Sequence, residues 1–159
     1  MLAIGVEGFG RHFVAWNLAA LLKAPIYADK QTPYRRWNTA GVVSVFERWE
    51  GKKYPAVIVD NRDPVIAIDL WFWILPPDPK EVELTRERLD NTGANAHLVL
   101  NGARQKALFG ERILTAIPWE EQQAQAILMG MPLVALVPSF ATYFGPLREV
   151  IARVSSPGR

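Results

Sequence analysis

The feature that most constrains this chain is a set of apolar runs that do not alternate. In YPAVIVD, residues 54 to 60, Ala56, Val57, Ile58 and Val59 follow one another unbroken, and LWFWIL, residues 70 to 75, repeats the pattern. A strand with one face in water alternates apolar and polar residues. A short unbroken run instead reads as a strand covered on both faces, as in a parallel sheet. Ala96 to Leu100 (AHLVL) and Ile113 to Ile117 are further strands. Between the strands the period changes. Phe13, Val14, Trp16, Asn17, Leu18, Leu21 and Leu22 suit a helix with a broad apolar face, ended by Pro25. Pro79 to Leu89 carries Glu81 and Glu83 near its start and Arg86 and Arg88 near its end, which matches a helix dipole. Further helices are expected from about Trp119 to Met129 and from about Tyr143 to Val154. Strands alternating with helices predict an α/β domain with a mainly parallel sheet flanked by helices.

Composition narrows the chemistry. A length of 159 residues, half of them hydrophobic and 21% charged, suits one globular domain, expected over 1–154 with a frayed tail at 155–159. There are no cysteines, so disulfides, thiolate metal sites and a cysteine nucleophile are excluded. With only His12 and His97, a multi-histidine metal site is not expected. A net charge of +2 fits nucleic-acid contact without demanding it. The opening MLAIGVEGFG lacks a basic n-region and a small-residue cleavage site, and the longest apolar run falls far short of the roughly 20 residues a membrane helix requires. A soluble, cytoplasmic protein without membrane association is the expectation.

The ends of the expected strands are where ligands bind in such sheets. The run Leu2 to Val6 stops at Gly8-Phe9-Gly10, a helix follows, and Ile26-Tyr27-Ala28 reads as a second short strand. Thr32 to Asn38 reads as a loop, Val42 to Arg48 as an alternating strand at the sheet edge, and Glu50 to Lys53 as a solvated turn. Residues 7 to 12, 29 to 31 and 60 to 63 are therefore the places to look.

The order of these segments, more than any one motif, resembles the ParA/MinD family of deviant Walker ATPases over nearly the whole chain. LAIGVEGFGRHFVAWNLAALL is similar to the family's strand, phosphate loop and NLA-containing helix. ADKQTP resembles its D-P-Q segment, YPAVIVDN its Walker B strand with a terminal aspartate, and AHLVLNGAR the strand ending in an adenine-reading asparagine. The stretch from ILTAIPW through GMPLVALVPSFATYFGPLREVIARV resembles the family's C-terminal part. The resemblance implies a three-layer P-loop NTPase architecture and face-to-face dimers about a nucleotide.

The departures fall where the chemistry would lie. The family loop is K-G-G-V-G-K-[ST], and Val6, Glu7, Gly8, Phe9, Gly10, Arg11 and His12 stand in its place. A phosphate loop works by aiming backbone N–H groups at the anion, with a lysine on the β and γ oxygens and a hydroxyl on Mg²⁺. Arg11 keeps the charge in a bulkier form. His12 is a poor magnesium ligand, Val6 removes the signature lysine, and Glu7 repels phosphate. Tyr27 stands where the family often has an aspartate. The segment between residues 32 and 54 is contracted.

Each candidate has two readings. Gly8, Phe9 and Gly10 form either a structural turn or a remodelled anion site aided by Arg11. Asp60 is a metal or water ligand, or it caps the following loop with Asn61. Asp29 reads as a turn residue and otherwise as a catalytic candidate. Asn101 reads a base or ends its strand in a turn with Gly102. His12, beside a positive helix end, is expected to be neutral, and packed or at the surface; His97 reads as structural. Tyr34, Arg35, Arg36, Trp37 and Trp49 mix rings with cations, which suits a protein interface or single-stranded nucleic acid. The alternative is that the rings only cover the core edge.

Three functions follow from the resemblance. The first is a pseudo-ATPase with no cofactor, acting on itself, on an active relative or on an unidentified partner protein. The second is an atypical ATPase in which Arg11 holds phosphate and Asp60 organises Mg²⁺. The third is non-specific DNA binding through Arg104, Lys106, Arg112, Arg148 and Arg153, which salt should weaken steeply.

Overall fold

The computed structural model describes residues 1–49, 53–92, 95–106, 109–110 and 112–155. Seven strands run in chain order: β1 (Leu2–Gly8), β2 (Ile26–Ala28), β3 (Val45–Phe46), β4 (Ala56–Asp60), β5 (Leu70–Leu75), β6 (Ala96–Asn101) and β7 (Ile113–Ile117). They form one sheet in the order β3-β2-β4-β1-β5-β6-β7. Every pairing is parallel, so the expected mainly parallel sheet is wholly parallel. The unbroken apolar runs account for this. In β4, Ile58 faces one core while Val57 and Val59 face another, and β5 likewise splits Phe72 and Ile74 from Leu75.

One face is covered by α1 (Arg11–Leu22), by α5 (Leu133–Leu136), by a 3-10 helix (Pro138–Phe144) and by α6 (Gly145–Ser155). The fully buried Trp16, Phe72 and Phe144 lie in that core. On the opposite face, α3 (Pro79–Thr92) packs Val82 and Leu89 on the half of the sheet holding β5, β6 and β7. The other half of that face is closed by rings: Tyr27 stacks on Phe46 at 5.6 Å, Phe46 on Tyr54 at 6.2 Å, and Trp49 meets Tyr27 edge-on.

The local differences from expectation have physical causes. The expected loop Thr32 to Asn38 contains a single helical turn, α2 (Tyr34–Trp37). One turn is too short to show a period; it is held because Trp37 packs on Trp16 at 5.6 Å. The edge strand shrinks to Val45–Phe46, paired with Ile26 and Tyr27. The helix expected from Trp119 begins at Gln122 as α4 (Gln122–Met129), after Pro118 and an exposed Trp119. The last α-helix starts at Gly145, not Tyr143, because Pro146 needs no N–H partner in a first turn. Of the expected frayed tail, Ser155 closes α6, and 156–159 lie outside the described residues, as do Glu50, Gly51 and Lys52 of the expected turn.

Topology sets the position of the site. The chain builds β2, β3 and β4 on one side of β1 and then crosses to β5 on the other. The carboxyl ends of β1 and β4 thus meet beside the point where the winding direction reverses, which is where such sheets leave a crevice.

Candidate functional site

The chain passes from strand β1 to helix α1 through two residues, Phe9 and Gly10. Gly8 and Gly10 sit at φ 105° and 72°, a region that favours glycine, and a side chain on either would collide with the Ile74 carbonyl or the Asn101 amide. Phe9 N–H donates to Ile74 O at 2.8 Å, so this amide is spent on the neighbouring strand. Asn101, at the end of β6, donates from Nδ2 to Phe9 O at 3.4 Å and braces the turn, while Gly102 turns the backbone at φ 97°.

Asp60 is the last residue of β4 and is 2% exposed. Both of its oxygens are engaged. Arg11 Nε donates to Oδ1 at 3.0 Å. His12 Nδ1 lies 2.5 Å from Oδ2, and the Tyr34 hydroxyl donates to the same oxygen at 2.5 Å. That hydroxyl also lies 3.2 Å from the His12 carbonyl, and the His12 and Tyr34 rings meet edge-on at 5.8 Å. Glu7, next to last in β1, reaches Arg11 across the turn at 3.6 Å. Burial alone would push the Asp60 carboxyl up; His12, Tyr34 and Arg11 outweigh it and hold the carboxyl below its ordinary 3.8. Burial, then the Asp60 charge, raises the Tyr34 phenol well above 10.0, so Tyr34 stays a neutral donor.

These contacts define four roles. Asp60 binds the first turn of α1 instead of capping its own loop with Asn61. Asn61 bonds its own loop, accepting from Asp63 N at 3.0 Å. His12 is neither a free surface residue nor a core packer; it is anchored on a buried carboxylate. Asp29 is a turn residue: its two oxygens accept from Gln31 N at 3.1 Å and Arg62 N at 3.3 Å. Among the described residues, no group of three or more His, Cys, Asp or Glu side chains is arranged to hold a metal ion.

The expected ring-and-cation surface is corrected. Tyr34 is 1% exposed and belongs to the Asp60 cluster. Trp37 is half-buried against Trp16, and Trp49 is half-buried in the core of the opposite face. Only Arg35 and Arg36 of that group are exposed. Of the cations expected to face DNA, Arg104 pairs with Glu120 at 3.9 Å, Arg112 with Asp90, and Lys106 donates to Leu114 O at 3.2 Å. Arg148 and Arg153 stand exposed on α6. His97 sits half-buried in β6 beside Phe72; burial, with Arg153 and Arg112 nearby, lowers it from its ordinary 6.5.

Sequence reasoning missed Tyr34 as a partner of Asp60, since 26 residues separate them and no spacing rule joins them. It also missed Asn38 and Asn17. Asn38 accepts from Trp16 Nε1 at 3.1 Å, and the buried Asn17 accepts from Val134 N at 2.9 Å. For Asn17 a signal existed: a polar residue on an otherwise apolar helix face.

A seven-stranded parallel sheet flanked by helices is the fold of the solved MinD and ParA structures that the chain matches. The chain matches the MinC:MinD cell division protein complex of Aquifex aeolicus with a TM-score of 0.63 at 11% identity, over 96% of each chain. It matches a ParA family ATPase from Chlorobium tepidum TLS at 0.61 and 14% identity, over 96% of this chain and 99% of that one. A third match is the MinD cell division protein of Aquifex aeolicus, at 0.61 and 12% identity over 96% and 98% of the two chains. At these identities the likeness shows the fold. No protein-family model and no curated protein sequence matches the chain. Among the described residues, no helix is long and apolar enough to cross a membrane.

Proposed function

We propose that this protein is a MinD/ParA-fold partitioning or positioning factor that works through protein contacts and not through ATP hydrolysis. The observation that carries this reading is the engagement of Asp60. The carboxylate that would organise Mg²⁺ in the resemblance already has one guanidinium, one imidazole and one phenol on its two oxygens. A divalent cation there would have to displace Arg11 and His12. The two-residue turn supports the same reading, because a phosphate cradle needs several converging amides and Phe9 has given its own to β5. These residues therefore fit a Mg²⁺-nucleotide poorly.

Partner contact is supported by what the carboxyl edge exposes. Phe9, after β1, is 57% exposed and Trp119, after β7, is 65% exposed. Exposed aromatics of this kind dominate protein interfaces. The solved MinC:MinD complex is a case of a protein with this fold assembled with another protein. A second copy, an active relative or an unrelated partner all suit such an edge.

Calorimetry with ATP and ADP, with and without Mg²⁺, tests the proposal. No binding at millimolar nucleotide and no phosphate release are expected. Tight Mg²⁺-dependent binding with turnover, abolished by both Arg11→Ala and Asp60→Ala, would overturn it in favour of an atypical ATPase.

A further inference from the structure

We infer that the cleft at the carboxyl ends of β2 and β3 is a binding site for a small multivalent anion, such as a phosphorylated or polycarboxylate metabolite. The cleft encloses about 580 Å³ between those strand ends and α2. That volume suits a small metabolite, since small-molecule sites run from about 300 to 1,000 Å³. It also lies where parallel sheets bind ligands, though on a different pair of strands from Asp60.

The chemical class follows from which lining groups are still free. The neutral polar side chains are already committed inside the protein. Thr32 Oγ1 donates to Asp29 O at 2.8 Å, and the Tyr34 hydroxyl donates to Asp60. Asn38 holds Trp16 through Oδ1 and the Val43 carbonyl through Nδ2. Asp29 has both oxygens on backbone amides. Glu47 faces Arg35 at 3.7 Å, so those two charges offset each other. Lys30 and Arg48 remain. Both line the cleft, both are exposed, and neither has a carboxylate partner among the described residues. A cleft whose free polar groups are two cations, with a third in Arg35 ready to exchange Glu47 for a ligand, selects by negative charge. Two or more anionic groups on one ligand engage them together, and charge-assisted bonds of this kind are the strong ones.

Lys30 and Arg48 lie outside the turn before α1, and the test exploits this. Pyrophosphate and citrate serve as probes against the intact chain at fixed ionic strength, read by calorimetry and thermal shift. One-to-one saturable binding is expected. The double variant Lys30→Gln/Arg48→Gln should weaken it at least about tenfold, at the usual worth of a hydrogen bond to a charged group. The charge-keeping Lys30→Arg/Arg48→Lys should retain it, as should Arg11→Ala. Both cations are exposed, so an unchanged unfolding temperature in the probe-free double variant checks folding. Absence of saturable binding at millimolar probe overturns the inference, as does binding indifferent to the double variant. Binding lost only in Arg11→Ala overturns it too, and would place the anion at the turn before α1, weakening the pseudo-ATPase reading instead.

Discussion

Replacing Asp60 by asparagine separates a structural carboxylate from one kept for a ligand. Breaking a buried ion pair by removing one partner costs about 3–5 kcal/mol. Here the side chains of Arg11 and His12 are each 28% exposed and regain water once released, whereas Asp60 is 2% exposed. Tyr34 keeps the amide oxygen as an acceptor. The loss should therefore fall to about 2–3 kcal/mol. In a chain of this size each kcal/mol moves the unfolding midpoint by about 2–4 °C, so Asp60→Asn should unfold roughly 4–12 °C below wild type at neutral pH. The pH dependence has a definite sign. Asp60 is held below its ordinary value of 3.8 despite the opposing push of burial. A depressed acid contributes stability above its unfolded value and loses it as pH falls through the folded one. The gap between wild type and variant should be full above about pH 5 and shrink only as pH falls below 3.8, through the lowered folded value. Differential scanning calorimetry or thermal circular dichroism across that range reads both effects. A variant as stable as wild type, or more stable, would refute the reasoning. That is how a carboxylate behaves when it is kept for an absent cation at a cost to stability.

Gly10→Ala should destabilise by about 1–3 kcal/mol, from a side chain at positive φ, and Gly10→Ala/Asn101→Ala should recover part of that loss, since the clash is with the Asn101 amide. A chemical-denaturation cycle over the four proteins checks this, and simple additivity would refute the contact. Non-specific duplex DNA should bind weakly, because of the five cations expected to face it Arg104, Lys106 and Arg112 are already engaged and, among the described residues, Arg148 and Arg153 alone of the five have no partner. Two phosphate contacts give a slope of log affinity against log salt near about −2, whereas a slope near about −4 to −5 would mean that all five cations reach phosphate.

How far the sequence carried depended on whether a residue acts through its own segment or through a distant one. The parallel sheet was legible because Val57, Ile58 and Val59 must all be covered, and only a strand with two packed faces covers three in a row. The Gly8-Phe9-Gly10 turn was legible because glycine there has a local steric cause. Asp60 could be placed at a strand end, but not its partners. Tyr34 lies on a helix of one turn, too short to leave a periodic trace, and its hydrophobic ring and buried hydroxyl look in sequence like an interface residue. The aromatics failed for a related reason. Among the described residues no helix contributes to the core on half of one sheet face, and Tyr27, Phe46, Trp49 and Tyr54 do the covering there. Nothing in TPYRRWN or FERWE says which face each ring will take.

The first turn of α1 is what makes a buried Asp60 tolerable. A carboxylate at the end of a buried strand cannot stay ionised without donors on its oxygens. Here Arg11 and His12, neighbours in the first turn of α1, bring a guanidinium to one oxygen and an imidazole to the other, and Tyr34 closes the shell from α2. A lysine at 11 and a threonine at 12 would leave Oδ1 without a fork-shaped donor and Oδ2 without an imidazole. Arg11, His12 and Asp60 are thus one physical arrangement. The α1 N-terminus, the end of β4 and the α2 turn are tied at a single carboxylate, and the turn before α1 can then be as short as two residues.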